Sequence, residues 1–334
     1  MKFKNVLVTG GAGYVGSHAC KALARAGYLP VVYDNLSRGH AWAVKWGGLE
    51  RGDLLNPVRI AAAIKKHRPF AVLHFAALAY VGESVEDPLR YYRNNVGGTM
   101  NLLEAMRDNG VDKLVFSSTC SVYGVPERVP IPESHPQRTV NPYGHSKRMV
   151  EQMLADSAAA HGLRSVSLRY FNAAGADPEG DIGEAHDPET HLIPLVLEAA
   201  AGLRARLTIH GTDYPTRDGT CIRDYVHVAD LADAHVLALR HLTRHAGAAA
   251  FNLGNGKGFT VREVIAAAER VTGRKVPSRE GPRRPGDPPA LVANAASARR
   301  NLGWKPRYRD LDAILGTAGC WLQSGKGVAR RKKT

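Results

Sequence analysis

Tyr143 and Lys147 stand four residues apart in Asn141-Pro142-Tyr143-Gly144-His145-Ser146-Lys147. On a helix that spacing places a phenol and an ammonium one turn apart on one face. A phenol titrates near 10 and is a poor base at neutral pH. A neighbouring ammonium and an oxidised nicotinamide both favour its phenolate and lower that value. Such a pair suits removal of a hydroxyl proton while hydride leaves the same carbon, and Lys147 can also bond a cofactor ribose. Asn141 has the chemistry of an N-cap and Pro142 that of a first helical residue. Ser117-Ser118-Thr119 closes the apolar run 113–116, and a Thr119 hydroxyl there can hold the substrate oxygen and relay its proton. Tyr-x-x-x-Lys recurs by chance on many helices, and Ser and Thr are common where strands turn. The pair therefore gains weight only from a neighbouring hydride acceptor.

A site for that acceptor is written at the N-terminus. Val6-Leu7-Val8-Thr9-Gly10-Gly11-Ala12-Gly13-Tyr14-Val15-Gly16 reads as strand, glycine-rich turn and helix. It satisfies both G-x-x-G-x-x-G and G-x-G-x-x-G. Glycine permits the tight turn, lets backbone amides approach a pyrophosphate and lets the helix pack close to the strand. The helix N-terminus then faces the phosphates. Asp34, 18 residues after Gly16, can accept hydrogen bonds from the adenosine ribose and would repel a 2′-phosphate, so NAD is expected over NADP. Arg38 nearby keeps the phosphate reading open. Gly52-Asp53-Leu54 follows a third strand, where a side chain reaches the adenine; the alternative for Asp53 is a helix-capping carboxylate.

The segments carrying these groups alternate in type. Residues 5–9, 30–33, 71–75, 113–117 and 164–169 read as buried strands, and 15–26, 57–67 and 95–109 as helices. This rhythm predicts an α/β fold, a doubly wound parallel sheet of the Rossmann type. After about Asn172 it loosens into Gly/Pro/Asp-rich loops, with helical patterns at 192–201, 228–242, 260–271 and 311–322. A smaller mixed α/β C-terminal lobe is expected over 172–330 beside a dinucleotide-binding lobe over 1–171, which 219–245 is a candidate to rejoin.

At 334 residues and 44% apolar the chain can bury a full core. It has no run of 18 apolar residues, so no membrane span is expected. It has no signal-peptide pattern at the start, and a cytoplasmic protein is expected. The four cysteines, Cys20, Cys120, Cys221 and Cys320, lack the spacing of a metal pair or a disulfide framework, and no metal is expected. The net charge of +14 has the sign of a nucleic-acid binder. It is spread along the chain, however, with local clusters at Arg283-Arg284 and 330–333 and no RNA-binding motif, so no nucleic-acid partner is expected. A diffuse positive field also attracts a pyrophosphate-bearing substrate.

Together these residues resemble the extended short-chain dehydrogenase/reductase family, and within it the UDP-sugar C4 epimerases. The resemblance covers roughly 6–321, including 6–17, 81–88, 142–147, 169–172 and 219–228. It implies tightly held NAD and a UDP-sugar bound between two lobes. Tyr143 takes the proton of the sugar 4-OH as C4 is oxidised, the 4-keto intermediate rotates, and re-reduction on the other face interconverts UDP-galactose and UDP-glucose. Thr119 matches the family's hydroxyl partner of the tyrosine. Cofactor contacts are implied for Gly10, Gly13, Tyr14, Val15, Gly16, Asp34, Asn35, Asp53, Leu54, Phe75, Ala76, Ala77, Asn94 (or Asn95), Ser117, Tyr143, Lys147 and Tyr170. Substrate contacts are implied for Thr119, Tyr143, Asn172, His191, Leu192, Arg223, Arg284, Asp287 and Leu291. An arginine fork suits a pyrophosphate; read without the resemblance, Arg223-Asp224 and Arg284/Asp287 are surface ion pairs.

Three departures from the family pattern matter, and one position separates the chain from a related family. Ala79 stands where some members have lysine. Leu291 replaces a bulky tyrosine at the hexose pocket wall, leaving room for an N-acetyl group at C2. His191 replaces an asparagine beside the sugar, either as a donor or as a packed helix-start residue. Cys120-Ser121 occupies the place of the Asp-Glu pair of the related 4,6-dehydratases, which argues against water loss. A pentose C4 epimerase acting on UDP-xylose and UDP-arabinose stays open beside the hexose reading. A homodimer through 88–109 and 142–161 is also implied.

Overall fold

Short apolar runs buried on both faces build the centre of the molecule, as a parallel sheet requires. The computed structural model describes residues 4–284 and 286–326. Its strands β1 (Lys4–Thr9), β2 (Tyr28–Asp34), β3 (Gly48–Arg51), β4 (Ala71–His74), β5 (Lys113–Thr119) and β6 (Arg164–Tyr170) join an outer strand, Ala248–Leu253. All pairings in this sheet are parallel, and the order is outer strand, β6, β5, β4, β1, β2, β3. The chain winds one way from β1 to β3 and the other way from β4 onward. The carboxyl ends of β1 and β4 therefore border a crevice, the place where such sheets bind ligands.

Helices seal both faces. Tyr14–Arg25 and Val228–His241 cover one face through Val8, Leu23, Leu231 and Leu239. Pro57–His67, Gly98–Asp108 and Pro142–His161 cover the other through Leu7, Ile60, Leu102, Phe116 and Leu154. The sequence predicts one helix over 95–109; the structure instead has a π-helical segment, Tyr92–Gly97, leading into Gly98–Asp108. Such widened turns are frequent at functional sites, and this one carries Asn94 and Asn95.

Beyond β6 a second core forms between the helices Leu192–Ala200, Val261–Thr272 and Leu311–Gln323, around Ile193, Val196, Val264 and Ile314. Small sheets frame it: Leu207–His210 with Ser278–Gly281, and Phe259–Thr260, Ile222–Arg223 and Ala290–Leu291. Within 172–330 the chain returns to the large sheet for longer than 219–245. The outer strand pairs with β6, and Ala298, Leu302 and Trp304 pack into the core on that side. Ala-Ala-Ala-Phe-Asn-Leu has too little apolar periodicity to announce a strand, and pairing with β6 is what makes it one. The four cysteines are free, Cys320 exposed and the others buried. Among the described residues no helix is long and apolar enough to cross a membrane. The basic cluster 330–333 lies outside the described residues.

Candidate active site

The crevice starts at the glycine turn. Gly10 has φ +72° and donates its N–H to Tyr33 O at 2.9 Å; a Cβ there would come 2.5 Å from the Ala76 nitrogen. A Cβ on Gly16 would lie 2.2 Å from Gly10 O, so glycine is what lets this helix seat against the turn. Gly13 has only Gly10 O within 4 Å of its Cβ direction, at 3.3 Å. Tyr14 and Val15 open the helix, and Tyr14 OH donates to Gly175 O at 2.5 Å, tying the turn to the second lobe.

Asp34 ends β2 and accepts from Ala12 N at 3.0 Å and Leu36 N at 2.8 Å. Burial raises its carboxyl pKa, against the pull of those two amides. Arg38 turns toward Glu83 Oε1 (2.8 Å) and the Tyr80 ring (4.9 Å), so its charge is already matched by a carboxylate, which removes the reason to expect a 2′-phosphate. Asp53 is no helix cap, since Asn56 caps the following helix. It accepts instead from Asn35 Nδ2 and Leu55 N, both at 2.8 Å, next to buried Leu54. The Phe75 and Ala76 amides donate to Thr9 O, which brings 75–77 to the carboxyl end of β1. Asn95 is buried and bridges Leu78 to Ser146, while Asn94 donates to Asn95. The glycine cradle, the carboxylate after β2 and the open Gly13 face fit a dinucleotide with a free ribose 2′-OH.

The acid/base group sits at the end of β5. Asn141 caps the helix Pro142–His161 by accepting from Gly144 N at 2.8 Å, with Pro142 in its first turn. A Cβ on Gly144 would stand 2.7 Å from Ser121 O, so this glycine sets how near the helix approaches Thr119. Lys147, 3% exposed, donates to Ser117 O at 2.8 Å and lies 5.9 Å from the Tyr143 ring centre. Ser117 Oγ and Tyr170 OH are 2.6 Å apart.

The electrostatics depart from the sequence expectation. Burial raises the Tyr143 phenol above its usual value, Tyr170 adds to this, and a hydrogen bond from Thr119 opposes it. The ammonium fails to lower the phenol because burial also drives Lys147 down to about 7, with Glu151 acting against that. A phenolate here needs further positive charge, such as an oxidised nicotinamide.

This has a consequence for stability. Lys147 titrates near 7 when folded and near 10.5 when unfolded. Between those values the unfolded chain holds more protons, so stability from this group rises with pH, and the full penalty is present below 7. Lys147→Met is expected to raise the Tm of NAD-stripped protein at pH 6, with the gain shrinking toward pH 10. No gain at pH 6 would contradict the burial argument.

Sequence reading missed the groups beneath this pair. Glu151 extends the Tyr143, Lys147 face by one more turn. It receives Arg169 Nε at 3.0 Å and Nη2 at 2.5 Å, and Ser118 Oγ at 2.5 Å. Arg169 also donates to Tyr123 OH, which donates to Asn252 on the outer strand. The repeated i, i+4 spacing was the available signal; the Arg169 partnership had none.

The second lobe brings Arg223 to Asp287, at 2.8 Å, while Arg223 also donates to Pro288 O at 2.9 Å. Neither pair suggested by sequence adjacency forms. Asp224 turns inward, fully buried, and accepts the amides of Asn255, Gly256 and Ala293; burial pushes its carboxyl up to about 6. Asn172 donates to Asp224 O. Arg284 is exposed, and Asp287 N donates to its carbonyl. Leu291 lies beside Arg223 and packs on the apolar group containing Cys120 and Phe171, next to Thr119. His191 precedes the helix that begins at Leu192, and its Nδ1 lies 2.5 Å from Glu184 Oε1.

A dinucleotide cradle opening onto a half-buried tyrosine and a buried lysine, with a second lobe presenting arginine and carboxylate, defines a nucleotide-dependent enzyme of the Rossmann class. Residues 6–254 match the model of the NAD dependent epimerase/dehydratase family, and the chain belongs to that family. It is 55% identical to the UDP-glucose 4-epimerase of Rhizobium meliloti (strain 1021), covering 96% of this chain and 98% of that one. The crystal structure of UDP-glucose 4-epimerase from Brucella ovis in complex with NAD is 57% identical, with TM-score 0.92 over 95% of this chain and 97% of that one. The enzyme from Bifidobacterium longum, in complex with NAD+ and UDP, is 37% identical, with TM-score 0.93 over 97% and 99% of the two chains.

Proposed function

We propose that this chain interconverts UDP-galactose and UDP-glucose, with NAD as its cofactor. The observation that carries the reading is Tyr143 in the first turn of the helix Pro142–His161, which Gly144 seats against Ser121 beside Thr119, with buried Lys147 one turn on. NAD held by the Gly10–Gly16 turn and Asp34 would supply the hydride acceptor and donor for C4. Tyr143 removes the 4-OH proton and later gives it back. Thr119 orients the same oxygen. Lys147, fixed by Ser117 O, holds the phenol and the cofactor ribose in register. Arg223 faces the diphosphate, and Asp287, now paired with it, exchanges that bond for substrate hydroxyls. Arg284, Asn172, His191, Leu192 and Leu291 complete the sugar-nucleotide side. The sheet lobe holds NAD through the residues around Gly10–Gly16, Asp34–Asn35, Asp53–Leu54, Phe75–Ala77, Asn94, Ser117 and Tyr170, and the later lobe holds the UDP-sugar.

Relatives at 50–55% identity that bear the glucose name favour the hexose over the pentose and N-acetylhexosamine readings. The test is turnover of UDP-galactose by purified protein. Conversion without added NAD is expected; none, with NAD supplied and the protein folded, overturns the reading.

The reading extends to a homodimer in the cytoplasm. Val85, Leu89, Met100 and Met149 are exposed by 49–69% on the helices beside and including Pro142–His161, large apolar side chains that an interface on those helices would cover. Leu89→Glu with Met149→Glu is expected to yield monomers in sedimentation. A wild-type monomer would refute the dimer.

A further inference from the structure

The segment between Ile182 and Leu192 crosses from one lobe to the other and is held on both. His40 Nε2 contacts Ala185 O at 2.8 Å, Arg38 donates to Asp187 O at 3.1 Å, and Tyr80 OH donates to Pro188 O at 3.2 Å. From the second lobe, Trp321 Nε1 donates to Glu184 O at 2.9 Å. Within this anchored strap lies Glu184-x-His186-x-x-Glu189-x-His191. One ligand-type atom from each of the four side chains lies within 4.8 Å of every other.

Both imidazoles hydrogen-bond the Glu184 carboxylate, and the four side chains share one small space. Both imidazole Nδ1 atoms approach the same oxygen, Glu184 Oε1, at 2.9 Å for His186 and 2.5 Å for His191. Each also faces Glu189, at 3.8 Å and 3.4 Å. A tetrahedral zinc with bonds of about 2.0–2.2 Å separates its ligand atoms by roughly 3.3–3.6 Å, so His186 and His191 would each move less than about 1.5 Å from Glu184 to make room for it. The two carboxylate side chains are only 6% and 2% exposed, so both charges face one another away from water. Against burial, which lowers them, Glu184 and Glu189 raise the pKa of both imidazoles, so a divalent cation would displace two protons, leaving two neutral imidazoles, two carboxylates and the cation at zero net charge. Two nitrogen donors favour a zinc-class ion over magnesium or calcium, which prefer all-oxygen shells.

We propose that Glu184, His186, Glu189 and His191 form a binding site for a divalent transition-metal cation of the zinc class. The cation pins the strap that leads into Leu192 and takes no part in proton transfer. The proposal shares one residue with the sugar-nucleotide side, since a cation would hold His191 through Nδ1 and set where its ring stands beside the sugar. It is contrary to the sequence expectation of no metal, which rested on cysteine spacing. Here the ligands are histidine and glutamate on an irregular strap, brought together by its folding.

The test uses the NAD-containing full chain, stripped with a chelator and titrated with zinc chloride. Uptake of about one equivalent per chain is expected, with affinity lowered at least about 100-fold in His186→Gln and in Glu189→Gln. X-ray absorption of the zinc-loaded wild type is expected to show two imidazole nitrogens and two carboxylate oxygens, a readout that does not depend on any variant folding. Equal uptake by the wild type and both variants would overturn the site and point to surface histidines such as the stacked His241 and His245. An absorption spectrum without imidazole would overturn it as well.

Discussion

Tyr143→Phe is expected to lower kcat for UDP-galactose by about 10³-fold, within the range of 10²–10⁴ associated with a positioned acid/base group. The ring stays, so its packing beside Lys147 and Thr119 stays, and KM should change by less than about threefold. Thr119→Val should have a smaller effect on kcat, because the threonine orients the oxygen and the tyrosine moves the proton. Initial rates, NAD content and Tm measured on the same preparations decide the matter. A loss below tenfold with NAD retained would remove Tyr143 from the proton-transfer role. A comparable rise in KM would make it a binding residue instead.

Breaking the Glu151–Arg169 pair should have the largest structural effect. The guanidinium makes two-pronged contact with the carboxylate, and their side chains are 7% and 9% exposed. Glu151→Ala leaves a buried cation without its partner, a change that typically costs about 3–5 kcal/mol. At roughly 2–4 °C per kcal/mol for large domains, Tm should fall by about ten degrees. Glu151→Met with Arg169→Met removes both charges and should recover most of that loss. Glu151 is also a positioning residue, since its charge supports the protonated form of Lys147. Glu151→Gln, which keeps the shape, should move the Lys147-dependent limb of the rate profile to lower pH. The double methionine variant should keep that shift while regaining stability. A double variant that regains the wild-type pH profile would remove the positioning role of Glu151, and a Glu151→Ala protein as stable as wild type would remove the structural role of the pair.

These two predictions mark different sources of knowledge. Tyr143 and Lys147, the capped helix start at Asn141-Pro142, the glycine turn and Asp34 are legible in the sequence because each is local. Helix spacing, cap chemistry and the conformational freedom of glycine act within a few residues. The alternation of strand and helix up to β6 is legible for the same reason. The partnerships across the chain are not. Arg169 finds Glu151 only because β6 lies beside β5 and the helix Pro142–His161 packs over both. Arg223 finds Asp287, rather than adjacent Asp224, because parallel pairing of Ala290–Leu291 with Ile222–Arg223 carries 287 alongside it and turns Asp224 inward. Ala248–Leu253 becomes a strand only where β6 offers it a hydrogen-bonding edge. Burial, too, is a property of the assembled core: it raises the Tyr143 phenol and lowers Lys147, reversing what spacing alone implies. Local spacing and residue type establish which groups are present and the short-range geometry of each. Tertiary structure decided which distant charges meet and how dry their surroundings are, because desolvation and long-range pairing depend on neighbours that sequence distance does not encode.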